Sequence, residues 1–66
     1  MEKSKVVAKY EEELATIQKK IEDSMDNLHD ALLGIGQYSV KDMSAAIVKY
    51  KEEEKHIQIC LDALSR

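Results

Sequence analysis

The chain contains no proline, no tryptophan and no phenylalanine, and only two glycines and one cysteine among 66 residues. Each shortage excludes something. Without proline, and without glycine between Val6 and Leu33, nothing in that stretch compels a helix to stop. With Cys60 as the sole thiol, no disulfide can form inside a monomer, which removes the stapled secreted scaffold and fits a reducing, cytoplasmic setting. No apolar run approaches the roughly 20 residues that cross a bilayer. The opening Met1-Glu2-Lys3-Ser4-Lys5 leads into an amphipathic pattern rather than a signal-peptide core, so a soluble protein with no membrane partner is expected. Ten Lys and Arg against thirteen Asp and Glu give a formal charge of -3, with neither sign in a long block. That balance argues against a nucleic-acid partner, because neutralising phosphates requires a basic face.

What the chain does have is an apolar stripe in steps of three and four. Val7, Tyr10, Leu14, Ile17, Ile21, Ser24, Leu28, Ala31 and Ile35 alternate in this way, and Val40, Met43, Ile47, Tyr50, Glu54, Ile57, Leu61 and Leu64 resume it. The mean period of 3.5 belongs to a helix that keeps one side against a neighbour. Between the two runs lies Gly34-Ile35-Gly36-Gln37-Tyr38-Ser39, which holds both glycines and ends in a serine with Asp42 three residues on, a relative of the capping box. The pattern predicts an all-α fold: one antiparallel, coiled-coil-like hairpin over 1-66. Its helices run over about 4-33 and 40-65, with a turn over 34-39, and Ser4 is the candidate N-cap of the first. Folding at the glycines sets Ile17 against Ile57, and it sets the large Tyr50 against the small Ser24 and Met43 against Ala31. A chain this short buries too little surface to be comfortable alone, so completion by dimerisation or by a partner's helices is expected.

Glu54 stands out as a carboxylate on the apolar stripe. It either leans to the rim, where Lys19 or Lys20 of the other helix comes within reach, or fixes the register of the seam or meets a basic group on a partner. Two carboxylate–imidazole spacings, Asp26-x-x-His29 and Glu53-x-x-His56, have the one-turn separation used in carboxylate-bridged di-metal bundles. Their heptad positions put both histidines on outer faces, and the remaining inward carboxylates are missing. No glycine-rich phosphate loop exists, the spacing sets no histidine beside Cys60, and two helices enclose no substrate pocket. The sequence therefore predicts no enzyme, no cofactor, no metal and no small-molecule substrate, and reads Cys60 as a small hydrophobe flanking the seam.

Surplus apolar surface carries the functional expectation. Met25 and Leu32 lie beside the stripe, Leu33 lies further round, and Tyr38 is in the turn, while Ala45, Ala46, Val48, Ile59 and Cys60 widen the apolar arc of the second helix. A closed hairpin needs only one stripe per helix, so the excess predicts a second contact surface for another protein's helix or for a second copy. Its candidate residues are Met25, Leu28, Leu32, Leu33, Tyr38, Ile47 and Val48. A hairpin of this length that pairs into a four-helix bundle is also the plan of the Rop-type plasmid regulators, which bind RNA with a basic face. Here Lys5, Lys9, Lys19 and Lys20 are interleaved with Glu11, Glu12, Glu13 and Glu22, and the only arginine is Arg66.

Over Ile21 to Leu64 the chain resembles the small chaperone subunits of type III secretion needles. The resemblance rests on an amphipathic helix bearing Met25, Leu28, Leu32 and Leu33, a turn at Gly34 to Gly36, and a Tyr-bearing second helix ending in Ile57, Ile59 and Leu61. It implies a cytosolic helical hairpin that pairs with a larger helical-repeat co-chaperone and helps hold the needle subunit unpolymerised before export. The glycine at each side of the turn and the Glu52-Glu53-Glu54 run have no counterpart in that pattern.

Overall fold

A computed structural model describes residues 3–65, the first two of these by backbone alone. Two helices make up the fold, α1 (Lys3–Leu32) and α2 (Val40–Leu64), packed side by side as an antiparallel hairpin. No strand occurs among the described residues. At about 1.5 Å per residue the 30 residues of α1 span roughly 45 Å, which accounts for most of the 51 Å long axis. The proposed cap at Ser4 concerns a side chain outside the described ones.

The alternating stripe is the seam. Ile17, Ile21, Ser24 and Ile57 are buried, and Val7, Tyr10, Leu14, Leu28, Ala31, Met43, Ile47, Tyr50, Glu54 and Leu61 are half-buried. The register follows the size alternation: Ile17 and Ile57 line one open groove between the helices, and Ser24, Met43 and Tyr50 line another. The small, buried Ser24 leaves room for the Tyr50 ring that lines the same groove, and no buried side-chain nitrogen or oxygen among the described residues lacks a partner.

The turn is built by its glycines. The amide of Ile35 donates to the carbonyl of Asp30 at 2.9 Å and that of Gly34 to Ala31 at 3.0 Å, the paired bonds of a Schellman C-cap, with Gly34 at φ +79°. Gly36 takes a second positive φ, +86°. The chain then enters α2 through Ser39, whose extended backbone and Oγ, accepting from the Asp42 amide at 3.0 Å, form an N-cap. This cap corrects the extent of the stripe. Ile35 and Val40 satisfy the three-four rhythm yet are 55 % and 40 % exposed, because Ile35 lies in the left-handed turn and Val40 opens α2 beyond the point where α1 ends at Leu32. Leu64, at the far end of the stripe, is exposed as well.

The hairpin is one layer of two helices. Its radius of gyration is 15.0 Å, against roughly 11 Å for a compact domain of this length. Its accessible surface is 5145 Å², against roughly 4,250 Å² for a compact monomer of equal mass. The difference of about 900 Å² is close to what one partner buries in a standard protein–protein interface, about 800 Å².

Candidate interaction surface

Helical geometry divides the hairpin into two long flanks either side of the seam. One flank carries Lys20, Asp23 and Asn27 of α1 beside Ala46 and Tyr50 of α2, and Tyr38 comes up from the turn to line the same groove. The Lys20 ammonium lies 5.8 Å from the centre of the Tyr50 ring, a cation–π arrangement that lets the lysine cover the seam while its charge stays wet. On the opposite flank of α1 the steps of seven put Gln18, Met25 and Leu32 in one row. The polar end of this row holds Glu54: Gln18 Nε2 donates to its Oε2 at 3.2 Å.

That hydrogen bond corrects the expected lysine partner. Lys19 turns along its own helix, 3.2 Å from Asp23 and 3.9 Å from Glu22, and Lys20 is committed to Tyr50. The hydrogen bond to Asp23, then the charges of Asp23 and Glu22, raise the Lys19 pKa above its ordinary value. The half-buried Glu54 therefore meets an amide at the rim, at lower desolvation cost than a buried ion pair.

The candidate contact residues do not form one patch. Leu28 and Ile47 belong to the seam and are half-buried. Met25 and Leu32, 50 % and 67 % exposed, share the glutamine flank. Leu33, Ile35 and Val40 surround the turn and are exposed, as is Tyr38 on the lysine flank. Val48 lies on the outer side of α2, where one helical face also holds Ala45 and Ile59; Val48 and Ile59 are more than half exposed. α2 thus presents apolar residues on more than one side, interleaved with its charged residues. The densest exposed apolar group is the end of the hairpin formed by Leu32, Leu33, Ile35, Tyr38 and Val40.

Of the chemistry-bearing residues, His29 is exposed in the last turn of α1, where a histidine complements the helix dipole. No group of three or more His, Cys, Asp or Glu side chains that could hold a metal exists among the described residues. One sequence expectation fails here. Cys60 does have a histidine beside it: His56, one helical turn earlier, places Nε2 3.8 Å from Sγ. The signal was the four-residue spacing, which stacks two side chains on one face as surely as the three-residue spacings that were tested.

No helix among the described residues is long and apolar enough to cross a membrane. The chain matches no family model, no curated protein and no solved structure.

Proposed function

We propose that the hairpin is a non-enzymatic protein-interaction module that works by laying a helix of another chain along its uncovered apolar surface. The observation that carries this reading is the exposure of five apolar side chains at the turn end, Leu32, Leu33, Ile35, Tyr38 and Val40, in a molecule whose seam is already filled. Leaving such a group in water forgoes burial worth about 25 cal/mol per Å². Met25 extends this surface along α1, and rim charges set orientation more than affinity. The particular role we propose is that of a small cytosolic chaperone subunit for a type III secretion needle. There the uncovered surface would meet a helical co-chaperone, and the pair would keep the needle subunit from polymerising.

A second reading is a homodimeric four-helix bundle. It draws on the slab-like shape, 51 by 14 by 11 Å, which a second copy matches in length and covers in one step. Leu32→Asp tests the assigned surface in either case. Association with partner or copy should be lost while the helicity of the chain is retained, as measured by molar mass in solution and far-ultraviolet circular dichroism. Undiminished association in that variant would reject the surface.

A further inference from the structure

We propose that a second copy of this chain covers the glutamine flank, lying with its turn at the same end, so that α1 of each copy packs on α2 of the other. This rests on the four-helix-bundle reading above and adds to it the face, the orientation and the register. Steps of three, four and seven from Gln18 and Glu54 fix which residues the flank holds. Its α1 edge carries Glu11, Glu22 and His29 and no lysine, and its α2 edge carries Lys41, Lys51 and Lys55 against one acid, Asp62. All seven are exposed, and none of the three lysines makes an ion pair among the described residues. Glu22 has only a long contact with Lys19, 3.9 Å in open solvent. One edge of this flank is therefore acidic and the other basic. The lysine flank has no such division. There α1 sets Lys9 and Lys20 against Glu13, Asp23 and Asp30, and α2 sets Lys49 against Asp42 and Glu53, so both edges are net acidic. Of the two flanks, only the glutamine flank is complementary to itself.

Two hairpins stacked flank to flank are related by a two-fold axis in the plane of contact, running either along the helices or across them. The crosswise axis lays α1 on α1 and α2 on α2, which opposes acid to acid and lysine to lysine. The lengthwise axis lays each acidic edge on a basic one, twice over. It also preserves height along the hairpin. Ile17 and Ile57 line one groove and stand level, so Glu22, five residues further along α1, is level with residue 52 and falls between Lys51 and Lys55 of the other copy. Met25 falls beside the other copy's Val48, and both are at least half exposed in the single chain. The same axis sets the two apolar turn ends side by side, whereas the crosswise axis sends them to opposite ends. The surface exposed beyond that of a compact monomer, about 900 Å², matches the roughly 800 Å² that each partner gives to a standard interface.

The test reads the orientation from spin labels on the full chain. In a Cys60→Ser background, Gln37→Cys in the exposed turn takes the label, the label-to-label distance is measured by double electron–electron resonance, and molar mass is recorded by light scattering. The expected result is a dimer whose labels lie less than half of the 51 Å long axis apart. Labels separated by about that full length would overturn the arrangement while leaving a homodimer in place. A chain that is monomeric at every concentration would overturn the homodimer reading and this inference with it. Charge reversal checks the register. Glu22→Lys and Lys51→Glu should each weaken the dimer about tenfold at low salt with helicity retained, because the reversed contact occurs twice. An equimolar mixture of the two variants should regain the parental affinity, since each like-charged contact then becomes an opposite one. Single variants that dimerise as tightly as the parent would overturn the pairing of Glu22 with Lys51.

Discussion

Ile57 and Leu32 are both aliphatic residues of long helices, yet the first is sealed in the seam and the second is two-thirds exposed. The seam and the turn end of this hairpin are made from the same kind of residue and meet opposite fates. In the seam each large side chain has a complement on the other helix, so closing the hairpin satisfies it. At the turn end the Schellman cap spends the backbone on reversing direction, and the apolar side chains it carries, Ile35 and its neighbours, are left without an opposite. A Schellman turn is commonly accompanied by an apolar contact between the residue after the glycine and one in the last helical turn. Here Asp30 and His29 occupy the last-turn positions, so Ile35 has no such contact to make. The hairpin closes its own middle and leaves its end uncovered.

Changes that attack the seam should have the largest effects on folding. Ile21→Asp puts a charge where only 7 % of the residue is exposed and should cost several kcal/mol. A single small core supplies only about 3 to 5 kcal/mol, so helicity at 25 °C should collapse, as read by circular dichroism. Gly34→Ala comes next. Open space surrounds the position, so the cost is that of placing an L-residue at φ +79°, about 1 kcal/mol, measurable as a lower midpoint of thermal unfolding. Ser39→Ala removes the acceptor for the Asp42 amide and should also cost about 1 kcal/mol, whereas Ser39→Asp should keep most of the stability.

The smallest effect belongs to the surface. Asp23→Asn takes the negative charge out of the hydrogen bond that raises the Lys19 pKa. Because that bond favours the protonated amine, its contribution is present below the ordinary pKa of 10.5 and disappears as pH rises through the raised value. The pair is fully exposed, so the variant should match the parent in unfolding at neutral pH, and any difference should fade further in high salt.

These contrasts also show how much of the molecule is legible in the sequence. The stripe names the seam residues, the glycines place the turn, and Ser39 with Asp42 announces the start of α2, since each rests on local chemistry that travels with the residue. What eludes it depends on where the backbone goes after a left-handed turn. Periodicity counts Ile35 and Val40 as seam because it cannot register where the first helix stops facing the second. The same blindness groups Tyr38 with Met25 and Leu32, although the turn delivers Tyr38 to the other flank. Glu54 was recognisable as an exception, but its partner Gln18 is chosen by which flank the carboxylate leans to. The candidate surface is thus legible as surplus, and its division into flanks and a capped end is not.

The central claim is that the hairpin is incomplete alone. Its most direct test is light-scattering molar mass of the purified chain, with helicity recorded across the same dilution series. The account predicts that helicity and assembly are linked: either a dimer whose helix content and melting point fall on dilution, or a weakly helical or aggregating chain that gains full helicity only with its partner. A monomer that stays fully helical and monodisperse at every concentration would contradict it.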